Sequence, residues 1–188
     1  MVIGPAFPEV LAAAAGGDER AFTSIWLDLQ PPLLRYLRVL APAMAEDLAA
    51  ETWLEVVRGL GRFTGEELQF RSWVFLIARH RTIDLRRRTA RQATEPVPVD
   101  ALAHLVASDD PAATALDAIS GRSALALIAT LSQDQAEVVT LRVVAGLDVA
   151  HVAEIVGKPP GTVRVLAHRG LRRLAERLGE DARAERVV

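Results

Sequence analysis

The chain has 188 residues, a formal net charge of −2 and no cysteine, and 51% of its residues are hydrophobic. This composition allows one ordinary domain or two small ones, and it excludes disulfide bonds, thiolate zinc sites and a cysteine nucleophile. Because no apolar run approaches the length of a membrane span, no transmembrane helix is expected. The start lacks the basic residues of a signal peptide, so a cytoplasmic protein is the simplest interpretation.

Most of the positive charge lies in two short segments. Residues 79–91 hold six arginines against one aspartate, net +5, and residues 161–178 hold five arginines against one glutamate, net +4. Between them, residues 92–120 carry five acids and no Lys or Arg, net −5. Two compact basic segments in an otherwise acidic chain indicate two separate contacts with a polyanion, whereas two solvated helix faces are the alternative explanation.

The predicted fold is all-α, because Ala and Leu dominate and aromatic residues make up only 5% of the chain. Residues 1–17 are interpreted as an N-terminal extension. Asp18 is the candidate N-cap of the first helix. Pro31 and Pro32 are expected to open a second helical segment, since proline is tolerated in a first turn.

Two further helices are predicted in the first domain, which is assigned to residues 18–93. The first runs over 45–62, and the second runs over 70–91 after a polar loop at 64–69. The second helix has a clear amphipathic stripe at i, i+3, i+4 and i+7, formed by Phe70, Trp73, Val74 and Ile77.

Helical periodicity fails over residues 94–113, where prolines and aspartates predict an acidic linker. A second domain is predicted over 114–179, with helices at about 119–131 and 134–144. Residues 180–188 are interpreted as a charged tail.

The most specific local pattern is a helix, a glycine turn and a second helix. Asp148 is suited to cap the first helix, Gly157 stands where that helix must end, and Pro160 can open the next one. This is the order of a helix-turn-helix, whose second helix enters the major groove of DNA. The predicted core stripe of the second helix is Val163, Ala167, Leu171, Leu174 and Leu178.

The opposite face of that second helix offers donors for phosphates and base edges, and one apolar residue that suits a thymine methyl group. A plain helical hairpin with an arginine-rich solvent face is the alternative. The candidate contacts to duplex DNA are Lys158, Thr162, Arg164, Val165, His168, Arg169 and Arg172.

Three stretches resemble the extracytoplasmic-function (ECF) sigma factors of the sigma-70 family. AEDLAAETWLE at 45–55 is similar to the polymerase-binding helix of that family, and FRSWVFLIARHRTIDLRRR at 70–88 is similar to its promoter-melting helix. The C-terminal motif, preceded by LSQDQAEVV at 131–139, resembles the family's second domain. The resemblance implies a region 2-like helical bundle and a region 4-like helix-turn-helix domain joined by a flexible linker.

The resemblance also implies partners and site residues. Core RNA polymerase would bind, through its β′ clamp, to Asp47, Leu48, Glu51, Trp53 and Glu55. The −10 element would be held as a single strand by Arg71, Phe75, Arg79, His80, Arg81, Arg86, Arg87 and Arg88.

In this interpretation the loop at 64–69 would hold a flipped base, and the C-terminal helix-turn-helix would read the −35 duplex. The linker would lie in the polymerase cleft. An anti-sigma factor is a further expected partner, whereas membrane contact, a metal and a cofactor are not expected.

Three positions depart from the pattern of many relatives. His80 stands where asparagine is common, Ala50 stands where glutamine is common, and Val165–Leu166 replaces a small polar residue followed by arginine. The first departure affects how the −10 strand would be held. The last makes the −35 preference of this chain unpredictable from relatives.

Two other functions fit parts of the pattern. A conventional helix-turn-helix regulator would use the C-terminal motif, but a sensory domain needs neither the acidic helix nor the arginine-rich one. A sigma mimic that binds an anti-sigma factor would not need two basic patches. An enzyme is disfavoured because the chain has no HExxH, P-loop, GxGxxG or GxSxG motif.

Overall fold

The computed structural model describes residues 3–92 and 124–184, and every regular element in these ranges is a helix. The predicted linker at 94–113 lies outside the described residues, as do residues 185–188 of the predicted tail. The elements are a 3-10 turn at Gly4–Ala6, α1 (Phe7–Ala15), α2 (Glu19–Leu40), a 3-10 turn at Pro42–Met44, α3 (Ala45–Leu60), α4 (Glu67–Gln92), a helical segment at 124–129 (α5), α6 (Gln133–Val143), α7 (Val149–Val156) and α8 (Pro160–Ala184).

The predicted N-terminal extension contains an ordered helix, α1. Phe7, Leu11 and Ala14 are buried and follow the i, i+4, i+7 spacing of one helix face. These side chains pack on the core that α2, α3 and α4 enclose. Residues 3–15 therefore pack against the core of the helices that follow them.

Helix α2 is continuous, so the prediction of a new segment at Pro31 and Pro32 is wrong. The two prolines remove helix hydrogen bonds to the carbonyls of Leu27 and Asp28. All four residues line an open groove, where water can satisfy those carbonyls. The buried face of α2 continues unbroken across the prolines, and this packing holds the helix together. As predicted, Asp18 caps α2, accepting hydrogen bonds from Arg20 N at 2.8 Å and Ala21 N at 3.0 Å.

Helices α3 and α4 approach closely at a glycine. A Cβ atom on Gly59 would lie 2.7 Å from the Trp73 ring, so only glycine lets the two helices pack at this distance. Trp73 in turn stacks on Phe63, with ring centroids 5.2 Å apart. Helix α4 begins at Glu67, three residues earlier than predicted, so the loop between α3 and α4 spans residues 61–66.

Helix α6 belongs to the carboxy-terminal bundle (residues 124–184) and packs against the amino-terminal bundle (residues 3–92). Every residue from Gln135 to Leu141 is buried, because α2 lies against one side of α6 and α7 and α8 lie against the others. Val138 and Leu141 belong to the same continuous apolar cluster as the core of the first bundle. The two bundles therefore share a hydrophobic core.

A buried polar contact reinforces this junction. The Tyr36 hydroxyl donates to Glu137 Oε1 at 3.1 Å, and Arg79 Nε donates to the same oxygen at 2.8 Å. A second Arg79 nitrogen donates to the Val156 carbonyl at 3.3 Å. Burial, with the nearby negative charge of Glu137, raises the pKa of Tyr36 well above its ordinary value, so the phenol stays protonated. Loss of Glu137 would leave both the Tyr36 hydroxyl and Arg79 Nε without their acceptor.

Candidate nucleic-acid and polymerase interfaces

The helix-turn-helix forms as the sequence predicts. Asp148 caps α7, because its carboxylate accepts hydrogen bonds from the His151 backbone N–H and from the His151 ring, both at 2.9 Å. The backbone hydrogen bond from His151 is the main reason that the pKa of Asp148 lies below its ordinary value. Gly157 ends α7 in the left-handed region at φ +65°, where L side chains are strained. Pro160 then opens α8.

The inner face of α8 differs from the predicted stripe. Val163 is buried, but Leu171 and Leu178 are 46% and 54% exposed. The reason is a close approach of α8 to α6 at Gly170, where a Cβ atom would lie 2.7 Å from Val139 Cγ2. This contact places Gly170 toward the core. Because glycine has no side chain, a pattern of apolar side chains does not identify it. The residues of α8 that face inward are Val163, Leu166, Ala167, Gly170 and Leu174.

The outer face of α8 carries the predicted duplex contacts. Val165 is 47% exposed and stands among exposed polar and basic side chains. Lys158, in the turn before α8, pairs with Asp134 at 3.0 Å, and Arg172 pairs with Glu176 at 2.9 Å. Both are surface pairs, which are weak and exchange readily for phosphate. The remaining members of the face are Thr162, Arg164, His168 and Arg169, all exposed.

The acidic residues predicted for polymerase binding lie on the outer face of α3. Asp47 and Glu51 are exposed, and Glu55 is half-buried beside Arg81, with which it forms an ion pair. Glu51 also lies near Arg81, 4.0 Å from its Nε. The three acids thus lie outside the core, and Arg81 of α4 partly neutralises Glu51 and Glu55.

Leu48 and Trp53, predicted for the same interface, point inward instead. Both are buried, and the Trp53 ring N–H donates to Gln30 Oε1 at 2.6 Å. Sequence reasoning missed two apolar residues that do lie outside: Leu54 is 56% exposed and Val57 is 53% exposed. Their positions off the buried stripe of α3 are the signal that identifies them.

Four of the arginines predicted to hold the −10 strand are engaged within the protein. Arg71 pairs with Asp28 at 2.5 Å, Arg81 pairs with Glu55, and Arg86 donates to the Leu40 carbonyl at 3.0 Å. The fourth, Arg79, is held by Glu137 at the junction of the bundles. The predicted members that remain exposed are His80, Arg87 and Arg88, of which Arg87 also forms a surface pair with Asp84 at 3.9 Å.

Phe75 does not fit the predicted role of a stacking surface for bases. Its side chain is fully buried, and its ring meets the Tyr36 ring edge-on with centroids 5.4 Å apart. It stands one helical turn before Arg79 on a face that α2 covers. Phe75 is therefore a core residue that supports the junction.

Metal-binding clusters and membrane-spanning helices are both absent from the described residues. Across 3–92 and 124–184, no three His, Asp or Glu side chains come together in a way that would hold a metal ion. None of the helices in the described ranges combines the length and apolar character needed to cross a bilayer.

Comparison with known proteins gives the family. The Sigma-70 region 2 family model matches residues 25–92, and the Sigma-70, region 4 model matches residues 122–174. The chain is 33% identical over 177 residues to the ECF RNA polymerase sigma factor BldN of Streptomyces coelicolor, covering 93% of this chain and 67% of that protein. It is 34% identical over 172 residues to the ECF RNA polymerase sigma factor ShbA of Streptomyces griseus, covering 86% and 89%.

The chain belongs to the ECF sigma factors. The resemblance seen in the sequence is thereby confirmed, and so is the all-α fold. Among solved structures, the sigma factor RpoE in complex with the anti-sigma factor NepR from Bartonella quintana has a similar fold, with a TM-score of 0.63 and 24% identity over 84% of this chain and 96% of that one. As an ECF sigma factor, the protein acts with RNA polymerase in transcription initiation, and members of this family recognise DNA and are generally not enzymes.

Proposed function

We propose that this ECF sigma factor directs initiation through three surfaces of its own: the outer face of α8 for the −35 duplex, the outer face of α3 for core polymerase, and the loop at 61–66 with the exposed end of α4 for the −10 strand. The observation that carries the proposal is the separation of these surfaces. Each holds exposed charged side chains of its own, and all of them lie outside the shared core.

On α8, the exposed residues supply two kinds of contact. Arg164, Arg169 and Arg172 can pair with phosphates or with guanine edges, and Val165 can pack on a thymine methyl group. Lys158 and Thr162 stand near the start of the helix, where backbone N–H groups favour phosphate. His168 completes the face. The domain that contains it is proposed to span residues 114–179.

On α3, Asp47, Glu51 and Glu55 are proposed to meet basic residues of the polymerase clamp, while Leu54 and Val57 supply apolar contact. A surface of this kind combines an apolar centre with charges that select the partner. Leu48 and Trp53 support it from inside by fixing the orientation of the helix. The domain concerned is proposed to span residues 18–93, extended by α1.

On α4, His80, Arg87 and Arg88 are proposed as the first contacts with the −10 strand. Arg79 would join them only after the carboxy-terminal bundle moves away, because Glu137 and the strand compete for the same guanidinium. Arg71, Arg81 and Arg86 are proposed to act through the acids and the carbonyl that they bind, and Phe75 is assigned to the core.

The protein is further proposed to be cytoplasmic, to carry out no chemistry itself and to bind an anti-sigma factor. The complex of RpoE with NepR supports the last point. Co-purification from the native host tests it. Recovery of the sigma factor with core polymerase alone, in every growth condition, would count against it.

Replacement of Arg169 by alanine tests the α8 assignment. Full-length protein is selected on a random duplex pool, and affinity is then measured on the selected duplex and on an unrelated one. A base-reading arginine loses about 1–3 kcal/mol on the selected duplex alone. Arg177→Ala, at an exposed arginine two turns further along α8, is the matched control. Equal loss on both duplexes would make Arg169 a phosphate contact, and no loss on either would remove it from the interface.

A further inference from the structure

The carboxylate of Glu67 binds the start of the chain with both of its oxygens. The Ile3 backbone N–H donates to Oε1 at 2.9 Å, and the Gly4 backbone N–H donates to Oε2 at 2.7 Å. The side chain is only 17% exposed. Hydrogen bonds to a charged acceptor are about twice as strong as neutral ones. This tie joins residues that are more than 60 positions apart in the sequence.

Glu67 is also the first residue of α4 and directly follows the loop at 61–66. The loop ends in a defined conformation, because the Glu66 backbone N–H donates to Gln69 Oε1 at 2.8 Å. Gly65 has φ +153°, and a Cβ atom there would lie 2.6 Å from Gln69 Oε1. A shift of Glu67 would therefore be transmitted to the end of the loop.

An aromatic chain forms a second link between the same two parts. Phe7 of α1 contacts Phe70 of α4 with ring centroids 5.6 Å apart, and Phe70 contacts Phe63 of the loop at 5.1 Å. Residues 3–15 are thus linked to the loop in two ways. The Phe7 ring packs on Phe70, which contacts Phe63 of the loop, and the Ile3 and Gly4 backbone N–H groups bind Glu67 at the end of the loop. The outward side chains at the loop, Arg62, Thr64, Glu66 and Gln69, are exposed.

We propose that Glu67 is a positioning residue: by fixing the amino-terminal segment against the start of α4, it holds the exposed loop side chains in the geometry that distinguishes one unstacked promoter base from another. The inference rests on the proposed function, in which this loop meets the −10 strand. Hydroxyl, guanidinium and carboxylate groups can read the edge of a flipped base. Such reading requires donors and acceptors held within about 0.5 Å, which a short exposed loop does not achieve unaided.

The test uses the full chain bound to core RNA polymerase and a single-stranded DNA pool with a random six-nucleotide centre, followed by sequencing of the bound fraction. Glu67→Gln keeps the size of the side chain but leaves one acceptor oxygen for two N–H donors. The expected result is that base preference at one position of the pool falls roughly 2- to 10-fold, the size of one hydrogen bond. Preference at the other positions and affinity for −35 duplex stay unchanged.

A second variant perturbs the other side of the same contact. Ile3 has φ −65°, a value that proline adopts, so Ile3→Pro keeps this backbone angle while it removes the N–H and the isoleucine side chain. Ile3→Ala, which keeps the N–H, is its matched control, and Glu9→Gln on the exposed side of α1 is the control for Glu67→Gln. If the hydrogen bonds to Glu67 are the cause, Ile3→Pro lowers the base preference at the same position of the pool. Its effect is then not additive with that of Glu67→Gln.

A lower melting temperature with an unchanged preference profile in Glu67→Gln would show that the tie serves only stability, and the inference would be overturned while the proposed function stands. A wild-type complex that shows no preference at any pool position would instead remove the loop's role, and the inference with it. A change at every position by the same factor would indicate weaker strand affinity without positioning, which also contradicts the inference.

Discussion

Glu137 is the residue whose replacement perturbs the junction of the two bundles most directly. Its side chain is 8% exposed, and one of its oxygens accepts from both the Tyr36 hydroxyl and Arg79 Nε. Glu137→Ala removes that acceptor and leaves the Arg79 guanidinium, 22% exposed, beside an apolar core. Breaking a fully buried pair in this way costs about 3–5 kcal/mol. Because Arg79 retains some contact with water, we expect a loss of about 2–4 kcal/mol.

Two measurements separate the junction from the rest of the fold. Urea unfolding followed by circular dichroism gives the free energy of unfolding. The chain has no cysteine, so dyes can be placed selectively on Ala13→Cys in α1 and Ala150→Cys in α7, both at exposed positions. Energy transfer between the dyes reports on separation of the bundles. Glu137→Ala is expected to lower both the unfolding free energy and the transfer efficiency.

Replacement of both charged partners by apolar residues is the matched control. Arg79→Met with Glu137→Leu, combined with Tyr36→Phe so that no buried hydroxyl is left without its acceptor, leaves no unpaired charge at the junction and should recover most of the lost stability. A loss below about 0.5 kcal/mol in Glu137→Ala, the usual size of a surface substitution, together with unchanged energy transfer, would refute the claim that this contact holds the bundles together.

Three other predictions follow from particular contacts. The pKa of Tyr36 is raised in the folded state, so the protonated phenol stabilises the fold. This contribution is complete below the ordinary tyrosine pKa of about 10 and is lost as pH rises above that value. Tyr36→Phe should therefore lose less stability at alkaline pH than the unchanged protein, and identical pH profiles would contradict this. Asp148→Ala should cost about 1 kcal/mol through loss of the α7 cap, with Asp148→Asn nearly neutral in thermal melts. Gly170→Ala should cost about 1–3 kcal/mol because its Cβ atom meets Val139, whereas Gly161→Ala, with open space around it, should not destabilise; equal melting temperatures for the two would refute the close approach.

The helix-turn-helix was predictable because its signals are local. A capping Asp148, a turn at Gly157 and an opening Pro160 each act within a few residues of their own position, so one sequence contains all the information. Family resemblance supplied what local signals could not, namely that the first domain is similar to Sigma-70 region 2.

The errors arose where distant packing overrides local preference. Pro31 would break an isolated helix, but the buried face of α2 carries the helix past it. Phe75 is spaced with the basic residues of α4, yet α2 covers it. The contact of Tyr36 with Glu137 joins positions 101 apart, and no periodicity in a single sequence connects them.

Promoter-directed transcription by purified core RNA polymerase tests the central claim most directly. Run-off transcripts from fragmented genomic DNA are sequenced with and without the protein. Discrete start sites should appear only with the protein; they should be lost in Asp47→Lys with Glu51→Lys on α3 and retained in Glu9→Lys on α1. Tight duplex binding without core polymerase, and no start site in its presence, would contradict the account.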